Sequence, residues 1–341
     1  MKTRQLGRTG LTVSELGFGG IPILRLDNPE AERVLKRAFD QGITLYDTAH
    51  LYKDSQEKIG RALHSVRDQV VLATKTMKRD REGAREQLEN SLRALQTDVI
   101  DIFQLHQVSR EDEWQEITGP GGAMDALSKA LDKGQIRSLG VTSHSLDMAV
   151  MMTRTDVFDT VQFPLNLIET EPLEGLFPDA RERRMGILAM KPFAGGVIND
   201  ADLAFTFLRQ SPDVIPIPGF DSEAAVDQVV AIYERENVVT SEDLARMEGL
   251  REELGRRFCR RCEYCLPCPH GVMVTMAMGY PLFVSRMSRE TAVSFARRAM
   301  ESVTLCEDCG ECVDKCPYDL PIPEMLREHY QMYQEDLARV S

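Results

Sequence analysis

No cysteine occurs before Cys259, and all eight of the chain's cysteines lie between that residue and Cys316. Disulfides therefore cannot staple the first three quarters of the protein, which must rest on an apolar core. Long apolar runs are missing too, and none reaches the roughly 20 residues needed to cross a bilayer. The opening MKTRQLGRTGLTVSELG has no apolar centre of the kind that marks a secretory signal. A cytoplasmic setting is expected, where clustered cysteines serve as metal ligands rather than disulfides. Positive charge is in deficit: 41 Lys and Arg stand against 54 Asp and Glu, a net charge of −13. A broad phosphate-binding surface is not expected from that balance, nor is a nucleic-acid partner. A G-x-G-x-x-G fingerprint is also absent after the first strand pattern, where GFGG at 17–20 is too short. That absence speaks against an open dinucleotide-binding sheet.

What the chain does contain is alternation. Apolar, β-branched stretches recur as ELGFGG (15–20), ITLYDTA (43–49), VVLATK (70–75), IDIFQLH (100–106), SLGVTSH (138–144), TVQFPLN (160–166), GILAMKP (186–192) and VIPIPG (214–219). Helical patterns lie between them. In SQEKIGRALHSV, Ile59, Leu63 and Val66 recur at helical spacing, as do Ala225, Val229 and Ile232 in EAAVDQVVAIYERE. Eight strands, each followed by a helix, predict an α/β fold of the closed (β/α)8 TIM barrel type, for which about 250 residues is typical. The turn residues Gly7 to Gly10 predict a hairpin ahead of the barrel. The onset of cysteine sets a domain boundary, giving a barrel over 1–256 and a small second domain over 257–341. Residues 270–305 are patterned as helices, for instance in ETAVSFARRAMESV. On the last helix Leu326, Tyr330, Tyr333 and Leu337 share a face that reads as a docking surface.

Active sites of such barrels lie at the carboxyl ends of the strands. There the chain puts Asp47, Lys75 and His106 on three adjacent strands, with Tyr52 in the loop beyond Asp47. Singly, each has a structural reading: the aspartate closes a turn, the tyrosine covers a loop, the histidine satisfies a hydrogen bond. Lys75 is the exception, because an ammonium entering from a buried strand is costly unless paired. Together the four suit carbonyl reduction. A hydride acceptor needs a proton for its developing alkoxide, and a tyrosine of pKa about 10 gives one up more readily beside a cation. Asp47 would keep Lys75 charged, and His106 would orient the substrate oxygen.

The segments YDTAHLYKDSQEKIGRAL, VVLATKT and DIFQLH, with IPG at 217–219, resemble the aldo/keto reductase family over residues 1 to about 250. Its Asp, Tyr, Lys and His tetrad falls on Asp47, Tyr52, Lys75 and His106. With the cysteine region added, the whole resembles the subgroup fused to a ferredoxin-like module. The resemblance implies a nicotinamide dinucleotide, NADP or NAD, across the barrel mouth. It assigns the carboxamide to Thr142, Ser143 and Gln162, and the pyrophosphate corner to Gly195, Gly196 and Gly219. Two positions depart from the family: Met190, followed by Lys191, stands where a tyrosine often stacks on the nicotinamide, and Asp221 stands where a base often holds the 2′-phosphate. A carboxylate there favours a ribose hydroxyl over a phosphate, unless Lys191 or Arg209 serves that phosphate instead. Trp114 is expected in a long loop after the fourth barrel strand, over the substrate or over the barrel itself. His50 and His144 read as solvated or capping residues.

The cysteines form two runs, Cys259, Cys262, Cys265, Cys268 with Pro269, and Cys306, Cys309, Cys312, Cys316 with Pro317. The second is the C-x-x-C-x-x-C-x-x-x-C-P run of bacterial ferredoxins, in which the fourth cysteine serves the other cluster. Two [4Fe–4S] clusters are expected, one on Cys259, Cys262, Cys265 and Cys316 and one on Cys306, Cys309, Cys312 and Cys268. Two zinc sites are the alternative, though zinc usually takes paired hooks rather than triplets. The expected activity is an oxidoreductase interconverting a small carbonyl and an alcohol. Hydride carries two electrons and a cubane passes one, so the clusters are structural, serve a ferredoxin or other electron-transfer partner, or work through a mediator. A ferredoxin-fed enzyme without nicotinamide and a non-catalytic redox sensor are the rival readings.

Overall fold

The computed structural model describes residues 1–340. They fall into two compact units that divide between Val239 and Thr240. The helix Ser241–Leu254 thus groups with the second unit, ahead of the sequence-based boundary at 256.

The first unit opens with an antiparallel hairpin, β1 (Thr3–Gln5) and β2 (Thr12–Ser14), turned through Gly10 at φ +74°. Eight parallel strands follow: β3 (Gly17–Gly19), β4 (Leu45–Asp47), β5 (Val71–Thr76), β6 (Ile100–Leu105), β7 (Ile136–Thr142), β8 (Thr160–Pro164), β9 (Gly186–Met190) and β10 (Val214–Pro216). Each pairs with its neighbour in chain order. The ring closes where the Gly19 N–H donates to the Pro218 carbonyl at 2.7 Å. A Cβ at Gly19 would lie 2.8 Å from the Ile217 carbonyl oxygen, so only glycine permits that approach. Leu6 and Val13 of the hairpin join Leu45, Val71, Ile102, Leu188 and Ile215 in one buried cluster, plugging the end from which the strands start. Near that end Asp101, wholly buried, accepts from Arg67, Arg137 and the Leu72 N–H, tying β5, β6 and β7 together. The other end, where the strands finish, is thereby left for chemistry.

Trp114 is not in a loop. It sits in the helix Glu111–Thr118 with its ring 6.0 Å from that of Phe158, against which it packs. Glu111, Asp112 and Glu113 at the start of that helix suit its positive end and favour a helix over a lid.

Every regular element of the second unit among the described residues is helical: Ser241–Leu254, Val274–Met278, Tyr280–Arg286, Arg289–Ser302, Glu311–Asp314 and Ile322–Val340, with one short turn at Val303–Leu305. Val274, Ala277, Tyr280, Ala296, Met300 and Leu326 form its core. The apolar face of the last helix is therefore not a docking surface. Leu326 and Tyr333 are buried, Tyr330 and Leu337 pack against the same core, and the face lies on Val274–Met278 and Arg289–Ser302. A 19-residue amphipathic helix buries its apolar stripe wherever the chain itself offers a partner. Among the described residues, no helix is long and apolar enough to cross a membrane.

Candidate active site and cysteine cages

Register brings the strand-end residues together. Asp47 closes β4, Lys75 lies one residue before the end of β5, and His106 follows β6, on three neighbouring parallel strands. Lys75 is 1% exposed; its Nζ donates to Asp47 Oδ2 at 2.5 Å and to the Thr48 carbonyl at 2.7 Å. Tyr52 arrives from the turn after β4, held by its N–H on the Ala49 carbonyl at 2.9 Å. Its ring centroid is 5.5 Å from Lys75 Nζ and 5.8 Å from the His106 ring, which it meets edge-on. Phenol, amine, imidazole and carboxylate thus share one location.

Burial raises the Asp47 carboxyl, against the pull of Lys75 and of the amides of Gln104 and Gln162. Burial likewise lowers the Lys75 ammonium, and Asp47 opposes that shift. An ammonium in so dry a place has a field that water hardly screens, and Tyr52 lies within its reach. Gln104 was not among the residues singled out in the sequence. It is fully buried, stands opposite Lys75 in the β5–β6 register, and donates from Nε2 to Asp47 Oδ1 at 3.1 Å. Only its place two residues before His106, which points both side chains to the same face of β6, could have marked it.

The eight cysteines surround two cavities. Cys259, Cys262, Cys265 and Cys316 line one, with Arg260, Glu263 and Tyr318. Cys268, Cys306, Cys309 and Cys312 line the other, which Cys265 also touches. Each run therefore sends its fourth cysteine to the other run's cavity. Burial pushes the Cys262 thiol up to about 11, with Cys259 and Cys316 adding to it, and the Cys265 thiol up to about 12. Burial raises Cys312 as well, reinforced by Cys306, Cys268 and Cys309. Among the described residues no three of His, Cys, Asp or Glu close tightly on a single-ion position. Four thiols round each cavity, with the fourth of each run crossing to the other, match the ligand arrangement of two-cluster ferredoxins.

A profile of the aldo/keto reductase family matches residues 15–204, more than half of the chain. The chain belongs to the aldo/keto reductase family. A second profile, the 4Fe-4S dicluster domain, matches residues 258–320. The aldo-keto reductase YhdN of Bacillus subtilis is 32% identical over 218 residues, 58% of this chain and 64% of YhdN. The match thus spans slightly less than two thirds of that relative. L-galactose dehydrogenase of Arabidopsis thaliana is 28% identical over 220 residues, 59% of this chain and 68% of that protein. Among solved structures, the holo form of aldo-keto reductase AKR11C1 from Bacillus halodurans has a TM-score of 0.64 at 26% identity, covering 73% of this chain and 96% of that one. An aldo-keto reductase from Klebsiella pneumoniae in complex with NADPH shares the fold, with a TM-score of 0.61 at 24% identity over 74% of this chain and 96% of that one.

At the mouth of the aldo/keto reductase barrel the residues expected around a cofactor are unevenly available. Gln162 is buried, and its Oε1 has no hydrogen-bond partner, so it can accept from an amide donor such as a carboxamide. Met190 ends β9, packed over the barrel core, where it could floor a ring. Thr142 Oγ1 accepts from the Gln107 N–H at 2.8 Å, and Ser143 Oγ closes a turn with Ser145. Lys191, Ala194, Gly195 and Gly196 are left-handed, at φ +57°, +45°, +76° and +102°. Two of the N–H groups that could face a pyrophosphate, those of Ala194 and Gly196, already donate to the carbonyls of Lys191 and Phe193. Gly219 packs against Pro22, which a Cβ would meet at 2.4 Å. Asp221 pairs with Arg25 at 3.5 Å, so its charge does not stand alone. Arg209 is occupied with the carbonyls of Ile232 and Arg235 and the ring of Tyr233. His144 is half-buried, and its Nδ1 lies 3.2 Å from Lys191 Nζ. His50 is half-buried, its N–H on the Lys75 carbonyl at 3.1 Å.

Proposed function

We propose that the barrel interconverts a small carbonyl compound and its alcohol, with a nicotinamide dinucleotide as hydride carrier and Tyr52 as the acid/base. The observation that carries this reading is the dry Asp47–Lys75 pair beside Tyr52 and His106 at the strand ends. Lys75 favours the phenolate form of Tyr52 and so eases proton transfer to a substrate oxygen. Asp47 holds the ammonium in place, and His106 orients the oxygen towards the phenol. Gln162 would hold the carboxamide, Met190 the ring, and the Lys191–Gly196 loop with Gly219 the phosphates. Arg25, beside Asp221, is the base available to a 2′-phosphate, which keeps both NADP and NAD open. Cys259, Cys262, Cys265 and Cys316 would hold one [4Fe–4S] cluster, and Cys306, Cys309, Cys312 and Cys268 the other. When bound, the dinucleotide supplies hydride and the clusters supply single electrons.

Tyr52→Phe should lower turnover of a carbonyl panel by roughly 10²–10⁴-fold, with the cluster absorbance unaltered. Full turnover in that variant would remove the assignment. A second reading, reduction driven by ferredoxin or another electron-transfer protein without nicotinamide, draws on the engaged state of Ser143 and of the 194–196 backbone. Substrate reduction by a low-potential donor, with neither NADH nor NADPH consumed in parallel assays, would select it.

A further inference from the structure

We infer that Thr48 and Ser55 are positioning residues for the acid/base. Their hydroxyl pair closes the turn that carries Tyr52 and so fixes the phenol beside Lys75, an inference that rests on the role proposed above for Tyr52.

The turn has reason to need closing. It runs over residues 49–54, between β4 and the helix Ser55–Leu63. Its outer side faces water: Leu51 is 60% exposed, and Lys53 and Asp54 are exposed too. Lys53 sits at φ +36°, on the left-handed side that a residue with a side chain seldom adopts. Local preference therefore does not select this shape.

Two hydroxyls tie the ends of the turn together. Thr48 Oγ1 and Ser55 Oγ lie 2.8 Å apart, and Ser55 Oγ donates to the Gly20 carbonyl at 2.8 Å. A carbonyl only accepts and a hydroxyl has one proton to give, so Thr48 donates to Ser55 and Ser55 to Gly20. Both side chains are buried, where a hydrogen bond is stronger than in water. Thr48 is itself held at both backbone groups, its N–H on the Ala73 carbonyl at 2.8 Å and its carbonyl on Lys75 Nζ at 2.7 Å. The residue that accepts from Lys75 thus also holds the far end of the turn that brings in Tyr52. Inside the turn the Ser55 N–H donates to the Tyr52 carbonyl at 2.8 Å. The helix has anchors of its own. Thr74 Oγ1 donates to Gln56 Oε1 at 2.9 Å, and Lys58 Nζ donates to the carbonyls of Ile23 and Leu26. Breaking the hydroxyl pair therefore loosens the turn and not the helix. The Tyr52 ring centroid is 5.5 Å from Lys75 Nζ, and the field of that ammonium falls with distance. A displacement of about 1 Å at a reacting group can cost roughly 10²-fold in rate.

The test uses the full chain, purified anaerobically, with a panel of aromatic and aliphatic aldehydes and ketones and with NADH or NADPH. Thr48→Val keeps the side-chain shape and orphans no donor, because Ser55 still gives its proton to Gly20. It should lower kcat by about 10–10²-fold, with the dinucleotide affinity measured by calorimetry unmoved. Thr48→Ser, which keeps the hydroxyl, should restore most of the rate. In a Tyr52→Phe background Thr48→Val should add no further loss, since both changes act through one group. Hydrogen exchange over residues 49–56 should rise in Thr48→Val while β5 and β6 keep their protection, which separates a loosened turn from a loosened barrel. Should Thr48→Val fail to fold, Ser55→Ala carries the same expectations. Parent turnover in Thr48→Val, or an equal loss with and without the Tyr52 hydroxyl, would overturn the inference and spare the role of Tyr52. A Tyr52→Phe variant as active as the parent, or a parent inert towards the whole panel, would remove that role and the inference with it.

Discussion

Asp47 has two carboxylate oxygens and a different partner on each. Lys75 takes Oδ2, and Gln104 takes Oδ1. The first contact supplies charge; the second supplies orientation, because an amide on one oxygen leaves the other facing the ammonium. Replacing Gln104 with leucine keeps the volume and leaves a buried oxygen without that donor, which costs about 1–3 kcal/mol. Urea denaturation of Gln104→Leu should show that loss in midpoint with an unchanged slope. A stability equal to the parent would mean that Gln162, whose amide also acts on Asp47, carries the orienting role alone.

At the scale of elements, strand register decides what can face what. Gly140 in β7 lies opposite Gln104 in β6 and Thr160 in β8. A Cβ there would stand 2.2 Å from Thr160 Oγ1 and 2.9 Å from Gln104 Cγ. Neither neighbour has room to retreat, since Gln104 and Thr160 are both fully buried. Gly140→Ala should therefore cost about 1–3 kcal/mol through overpacking and tilt Gln104 away from Asp47. A lowered melting temperature with reduced turnover is the expected pair of results. A variant as stable as the parent would show that the interior of the barrel yields more easily than close packing implies.

Across the whole molecule the two units are held together by different means. The barrel unit contains no cysteine and has an apolar core of its own. The second unit has a helical core of its own, against which six of the eight cysteines pack at its margin or within it. The segments 259–271 and 306–319 contain little regular structure, so their order should depend on what the thiols bind. Anaerobic iron chelation should raise hydrogen exchange in those two segments, while β4, β5 and β6 keep their protection. Unchanged exchange in both segments would mean that the cysteine loops hold their shape without a metal centre.

Much of this was readable in the linear text because it is local. Periodicity marked eight strands, and a strand's last residues can be located without knowing its neighbours. Cysteine spacing is likewise a property of one loop at a time. The helix around Trp114 was missed because the acidic, Gly- and Pro-flanked stretch it occupies looks like a loop when its packing partner Phe158 is not in view. The apolar face of the last helix was legible, but what covers it was not.

By itself, then, the sequence determined the order of strands and helices, the chemical groups available at the strand ends and the grouping of cysteines into two runs. Tertiary structure alone decided that Gln104 reaches Asp47, that Arg25 answers Asp221, that Lys191 meets His144 and that Ser55 reaches Gly20. Those contacts join residues through ring closure, register and helix packing. Their partners are set by distances between elements, which no local pattern of residues encodes.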